Sequence, residues 1–346
     1  MPYKLILLLV VLLIVSGCNN EGRQQNYKII YKGEGKQLIE SDENSNQKFT
    51  IAVIPKVSGI PYFNMVEEGM KEAAKDLNVD VIFSGPLIAD WKEQKRLVEK
   101  FIENDVDAIA ISANDPEKLG SVLNSAKKQG IKIITWDSDT NKQYRQYFVN
   151  SVDPELLGRH VMDTLSANLN EEGKYAIITG SENAATVKEW TKWMLAQQQE
   201  KYPEMELIDV VESDDDPKKA YLLAKDMIKK HSDIKGIIGS TSVGPPSAAQ
   251  AVMDANKKGE IQIVGLSSPN LLRQYIVNET IKIGTLWSPK KLGYLTVSIT
   301  KEALLGNKIV DNMSIPNVGV IRLNGDSVIM GQPIDFTKEN INQYDF

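Results

Sequence analysis

Phe49-Thr50-Ile51-Ala52-Val53-Ile54-Pro55-Lys56 is the stretch on which the fold turns. Its β-branched, almost unbroken apolar run ends at a proline, and Val66, Met70, Ala73 and Leu77 follow at helical spacing. A strand wetted on one face alternates polar and apolar residues, whereas one covered on both faces reads as a continuous apolar run. A buried strand leading into an amphipathic helix is the opening of a βα unit.

The same unit recurs outward from there at intervals of about 25 residues. Strands are expected at residues 79–83, 108–112 and 132–135, then at 175–179, 206–211, 236–239, 262–266 and 282–286. Leu97, Val98, Phe101 and Ile102 repeat the helical stripe, as do Ala248, Ala249, Val252 and Ala255. Such stripes are the core faces that helices need when they cover a parallel sheet. The alternation breaks after Trp136-Asp137-Ser138-Asp139, where a polar stretch reaches a second apolar run, Tyr147-Phe148-Val149, before a helix starting near Asp153. Two more irregularities follow Trp287 and residues 319–323. Three crossings imply an α/β fold of two Rossmann-like lobes, parallel sheets flanked by helices, built from discontinuous segments. The expected lobes are residues 49–150 with 288–318, and residues 151–287 with 319–346. An eight-unit βα barrel competes on the number of units. Against it, the chain from Val318 runs through Asn324-Gly325 and Gly331-Gln332-Pro333 as short strands and turns, without the closing helix of a barrel.

The N-terminus sets the compartment. Lys4 precedes an apolar run over residues 5–15, then Ser16, Gly17 and Cys18, so residues 1–17 are expected to be a signal peptide. Cys18 is the only cysteine among 346 residues, so no intramolecular disulfide can form. Val15-Ser16-Gly17-Cys18 resembles the lipobox of bacterial lipoproteins, which implies a lipid on Cys18 and a cell-membrane anchor on the extracytoplasmic face. Residues 18–48 are polar enough to serve as a flexible tether. The body of about 300 residues exceeds what one core usually fills. A net charge of −6 with 25% charged residues, scattered without a basic stripe, excludes nucleic acid as a partner.

Ligands of open parallel sheets meet the loops beyond the carboxyl ends of strands. Those loops carry Lys56, Pro61-Tyr62-Phe63, Trp136-Asp137-Ser138-Asp139, Gly180-Ser181-Glu182-Asn183, Ser240-Thr241-Ser242, Ser267-Ser268-Pro269 and Trp287-Ser288-Pro289. Carboxylates accept paired hydroxyl hydrogens, amides and lysine donate, and aromatic faces lie against C–H surfaces, which is what a sugar-like ligand asks for. Asp137 and Asp139 sit two apart on one strand end and cannot flank a scissile glycosidic bond from opposite sides. Asp214-Asp215-Asp216-Pro217 reads as a helix N-terminus. His160 and His231 are the only histidines and lack partners at metal-ligand spacing. Phosphate-cradling and nucleophile-elbow motifs are missing too, so no metal, cofactor or catalysis is expected.

Several stretches together resemble the type I periplasmic sugar-binding proteins of ABC transporters, in the group of autoinducer-2 receptors and rhamnose-binding proteins. They are Ile54-Pro55-Lys56, the run from Ala110 to Pro116, Thr135-Trp136-Asp137-Ser138-Asp139, Ala248-Ala249-Gln250-Ala251, Leu286-Trp287 and the close from Asn340 to Phe346. Lys56 and Asp137 match the lysine and aspartate that autoinducer-2 receptors use. Thr186-Val187 stands where those receptors carry Asp-Gln, and Ser240-Thr241-Ser242 where they carry Pro-Asp-Ala. Thr241-Ser242-Val243-Gly244 and Leu292-Gly293-Tyr294 look more like the rhamnose binders. The resemblance implies two lobes closing on a monosaccharide and a monomer that delivers it to ABC permease subunits. An autoinducer-2 receptor, or a sugar sensor coupled to signalling, remains the alternative. The candidate ligand residues are Lys56, Tyr62, Phe63, Trp91, Asn114, Asp137, Asp139, Thr186, Trp190, Ser240, Ser242, Ser267 and Trp287. Two-lobed transcription regulators share such a core, but they begin with a basic helix-turn-helix instead of an export signal.

Overall fold

The computed structural model describes residues 36–37, 48–181 and 184–346, all within one unit, Glu34–Phe346. The expected signal peptide and Cys18 lie outside the described residues. Within the stretch expected to be a tether, Lys36–Gln37 forms β1, which pairs in parallel with Met313 and Ser314; the remainder up to Gln47 lies outside the described residues.

The 49–54 run becomes β2 (Thr50–Ile54), followed by α1 (Pro61–Asp76), β3 (Asp80–Phe83), α2 (Trp91–Glu103), β4 (Ala108–Ile111), α3 (Gly120–Lys128), β5 (Lys132–Trp136) and β6 (Tyr147–Val152). The chain then crosses to a second lobe. There it forms α4 (Pro154–Leu169), β7 (Gly173–Thr179), α5 (Ala185–Lys201), β8 (Met205–Glu212), α6 (Pro217–Lys230), β9 (Ile234–Gly239), α7 (Gly244–Asp254), β10 (Gln262–Gly265), α8 (Pro269–Val277) and β11 (Gly284–Leu286). It returns through α9 (Pro289–Leu304), β12 (Met313–Ile315), β13 (Gly319–Val320), β14 (Arg322–Asn324) and β15 (Ser327–Gly331), then ends on β16 (Ile334–Phe336) against β11.

Side-chain alternation along the strands sorts the helices onto two faces. Ala52, Ile54, Ile109, Ile111 and Ile133 pack with Val98 and Phe101 of α2 and Val122 and Leu123 of α3. Ile51, Val53, Ala108, Ala110 and Ile134 point the other way, into the cluster that holds Val66 and Met70 of α1 and Leu292 and Leu295 of α9. Every residue from Ile51 to Ile54 is fully buried, each large one stabilising the fold by roughly 1.5–3 kcal/mol. Ala255 departs from its expected stripe, because α7 ends at Asp254 and leaves it exposed.

The first sheet runs β14-β15-β6-β5-β4-β2-β3 and the second β10-β9-β7-β8, so the sheet order reverses at β2/β4 and at β7/β9. Those are the points where crevices open at the carboxyl ends of strands. The crossings fall after β6, after β11 and after β15. The third corrects the sequence reading, which sent everything after residue 318 to the second lobe. β15 instead pairs in parallel with β6, burying Val328, Ile329 and Met330 in the first lobe, while β16 and the residues after it, which bond to Asn270 and Arg273 of α8, join the second as expected. A hairpin signal such as Asn324-Gly325 marks a turn but carries no information on which sheet edge receives it.

Asp153 caps α4 by accepting from the backbone N–H of Glu155 and Leu156 at 3.0 and 3.1 Å, with Pro154 starting the helix. The second lobe therefore starts immediately after the crossing. Helices α1 and α9 cross backbone to backbone. A Cβ on Gly293 would lie 2.0 Å from the Val66 carbonyl oxygen, and one on Gly69 would lie 1.9 Å from that of Lys290. Gly293→Ala is expected to force the helices apart at a cost of about 1–3 kcal/mol, lowering the melting temperature by several degrees. Gly331→Ala, whose added methyl meets nothing within 4 Å, is the control expected to melt like the wild type. Equal melting of both variants would contradict the close packing.

Candidate functional site

The two sets of strand ends face each other across a cavity of about 490 Å³, part of it open at the mouth. Lys56, placed by β2, reaches across it: its Nζ donates to Asp215 Oδ2 at 2.7 Å, with both side chains buried. Asp215 lies between β8 and α6. The ion pair therefore ties one lobe to the other. Burial alone would push the Lys56 ammonium below its ordinary value, but the carboxylates of Asp215 and Asp137 overcome this and hold it above.

Asp137 follows β5 in left-handed backbone with φ of 60°, a conformation that Asp tolerates better than most residues. Its Oδ1 accepts from Tyr62 Oη at 2.8 Å and its Oδ2 from Ser112 Oγ at 2.9 Å. Trp287 Nε1 donates to the same Tyr62 oxygen at 3.1 Å. Burial raises the Asp137 pKa, against the pull of Lys56, Tyr62 and Ser112, and burial together with the Asp137 charge pushes the Tyr62 phenol well up. The rings form one wall: Trp190 and Trp287 centroids lie 5.6 Å apart, and Tyr62 stands edge-on to Phe63 at 5.0 Å. Ile60, Val187, Leu266 and Leu286 add an aliphatic surface.

Four buried polar atoms on this lining have no hydrogen-bond partner among the described residues: Ser138 Oγ, Thr186 Oγ1, Thr241 Oγ1 and Trp190 Nε1. A buried polar group left unmatched costs about 1–3 kcal/mol, so such a cluster marks a surface built for something polar.

Of the residues singled out from sequence, Lys56, Tyr62, Phe63, Asp137, Thr186, Trp190, Ser240, Ser242 and Trp287 line the cavity. The other four do not. Asn114 is a clamp: its Nδ2 donates to the Lys56 carbonyl at 2.9 Å, and its backbone N–H donates to Gln94. Gln94, fully buried, in turn donates to the carbonyls of Pro55 and Ser112 at 3.0 and 2.7 Å, locking the β2 and β4 ends together. Asp139 turns away to Arg145, which donates to it at 2.7 and 3.0 Å and also pairs with Asp326 at 2.8 Å. Ser267 donates to the Ser242 carbonyl. Trp91 sits in the first turn of α2, with the ammonium groups of Lys92 and Lys118 over its ring at 5.9 and 5.4 Å.

Sequence reasoning left out Ser112, Ser138, Asp215 and Thr241. Ser138 and Thr241 belong to the strand-end stretches 136–139 and 240–242 singled out from sequence, and Ser112 closes an expected strand. Asp215 was hidden inside a correct reading of its neighbour. Asp216 does cap α6, accepting from the Lys219 N–H at 2.9 Å, while two left-handed residues, Asp214 and Asp215, turn the chain so that Asp215 points inward.

A cavity between the strand ends of two sheets, gripped from both lobes, defines a cleft-type solute-binding protein. The chain belongs to the periplasmic binding protein family, whose domain profile matches residues 51–308. It is 21% identical to the ribose import binding protein of Bacillus subtilis, over 80% of this chain and 88% of that protein. Among solved structures it is similar to an ABC transporter solute-binding protein from Clostridium phytofermentas with bound L-rhamnose: TM-score 0.82, 27% identity, 86% of this chain and 98% of that one. LsrB from Clostridium saccharobutylicum, in complex with AI-2, gives a TM-score of 0.81 at 24% identity, over 86% of this chain and 100% of that one. Like these relatives, the chain is a solute-binding protein and not an enzyme. Among the described residues no helix is long and apolar enough to cross a membrane.

The raised pKa of Asp137 carries a sign. The folded protein takes up this proton at higher pH than the unfolded chain, so the ionised carboxylate opposes folding at neutral pH, and the opposition fades as pH falls through the folded value. Asp137→Asn is therefore expected to raise the melting temperature at pH 7, with the gain shrinking on acidification. A variant that melts well below the wild type at pH 7 would show that Lys56, Tyr62 and Ser112 compensate the burial in full.

Proposed function

We propose that the cavity binds a neutral monosaccharide, with a 6-deoxyhexose of the L-rhamnose type favoured, for delivery to an ABC importer. The observation that carries this reading is the mixed lining of one cavity: four polar atoms unpartnered among the described residues and three charged groups, set among aromatic and aliphatic surface. Hydroxyls satisfy the first, while the C–H face and methyl group of a deoxysugar suit the second. Lys56, Tyr62, Asp137, Thr186, Trp190 and Trp287 are the residues assigned to the ligand, and closure of the two lobes about the crossings is the motion that traps it. The protein is proposed to work outside the cytoplasm, held to the membrane by lipid on Cys18 and handing its ligand to permease subunits as a monomer.

A second reading, an autoinducer-2 receptor, is supported by Lys56 and Asp137 facing the same cavity. It is weakened by Thr186 and Val187, which supply a lone hydroxyl and an aliphatic surface where those receptors carry an acid and an amide.

Thermal unfolding against L-rhamnose, L-fucose, D-ribose, D-allose and autoinducer-2 separates these readings. A ligand at a hundred times its Kd adds about 2.7 kcal/mol, so the largest upward shift is expected with L-rhamnose, and Asp137→Ala is expected to abolish it while the fold persists. Autoinducer-2 giving the largest shift would favour the second reading, and no shift with any of the five would remove the sugar reading.

A further inference from the structure

Among the described residues the second lobe places a single carboxylate in the cavity, Asp215, and its mounting is unusual. Ser213 pins the β8–α6 turn to the end of β7, donating to the Thr179 carbonyl from both its N–H and its hydroxyl at 2.8 Å. Asp214 and Asp215 then adopt left-handed backbone with φ of 52° and 57°. The three successive acids part ways: Asp214 goes outward to Lys219, Asp216 caps α6, and Asp215 goes inward to Lys56. Only Oδ2 of Asp215 is engaged. Its Oδ1 accepts no hydrogen bond among the described residues and lies beside Gly180, where an added Cβ would be 3.0 Å from both Asp215 Oδ1 and Thr241 Cγ2. A free carboxylate oxygen thus sits where glycine leaves room for it, with the Thr241 methyl on the other flank.

We propose that Asp215 is a specificity-determining residue of the second lobe, holding Lys56 across the cleft with one oxygen while the other takes a hydroxyl of the bound sugar. This rests on the monosaccharide reading above. One side chain then couples recognition to closure, because the hydroxyl that it reads fixes the carboxylate that bridges the lobes. The site also acquires a charge rule. Asp137 and Asp215 face one lysine, so a phosphorylated or acidic sugar brings a third negative charge and is rejected.

The test is calorimetric titration of the wild type, Asp215→Asn and Gly180→Ala with L-rhamnose and with its 2-deoxy, 3-deoxy and 4-deoxy analogues. For L-rhamnose, Asp215→Asn is expected to weaken binding about 10- to 100-fold, the worth of a hydrogen bond to a charged group. One analogue is expected to lose a similar factor against the wild type and nothing further against Asp215→Asn, which identifies the hydroxyl that Asp215 reads. Gly180→Ala, which crowds Oδ1 without removing it, is expected to weaken the parent sugar several-fold at unchanged melting temperature, and serves if Asp215→Asn fails to fold. A wild type that ignores L-rhamnose overturns the L-rhamnose preference and this inference with it. A wild type that binds, with Asp215→Asn within twofold of it or weakened equally for all analogues, overturns this inference alone.

Discussion

A single buried ammonium organises the cleft. Lys56 projects from the first lobe into contact with Asp215 of the second at 2.7 Å, within the field of Asp137. Taking such charges out of water costs several kcal/mol per ion, and the attraction between them returns this only when the geometry is good and the remaining valences are filled. The pair is thus poor evidence for stability but strong evidence for purpose, since an apolar pair of similar volume would hold the lobes as well. What a lysine shared by two acids provides, and an apolar contact does not, is a set of directional donors and acceptors at the centre of the cavity.

The rest of the architecture serves to aim those groups. Both sheets reverse their order beside the cleft, so loops from β2, β4 and β5 converge from one side and loops from β7, β8 and β9 from the other. Gln94 and Asn114 fix the loop that bears Lys56, and Arg145 fixes the one that follows Asp137 by binding Asp139. These buried networks never touch the cavity, yet they hold the groups that do. Left-handed backbone at Asp137 and Asp215 is the local strain that turns each carboxylate inward, accepted where Asp is the residue that bears it best.

Most of the fold was legible in the sequence because it rests on local pattern. Runs such as 49–54 and stripes such as Val66, Met70 and Ala73 specify strand, helix and two-faced burial together, and the strand bounds expected from them differ by at most two residues from those observed. The misplaced segment, β14 and β15, depends on which sheet edge accepts a hairpin, a long-range choice with no local signature. The site was legible to the extent that strand ends aim at ligands. Asn114, Asp139 and Ser267 stand at strand ends but bond to the scaffold, and nothing in residue type separates a clamp from a ligand contact. Asp215 was obscured for the opposite reason: three consecutive acids before a proline describe a helix cap, and only the turn geometry shows that one of them does other work.

The claim that one lysine is held by acids from both lobes is tested most directly at its own nitrogen, by 15N NMR titration of the Lys56 ammonium. The account predicts slowly exchanging N–H protons and a charge retained to a pH above the ordinary lysine value of about 10.4, with both properties diminished in Asp215→Asn. Fast exchange and titration at or below the value of a solvent-exposed lysine, unchanged by that substitution, would contradict it.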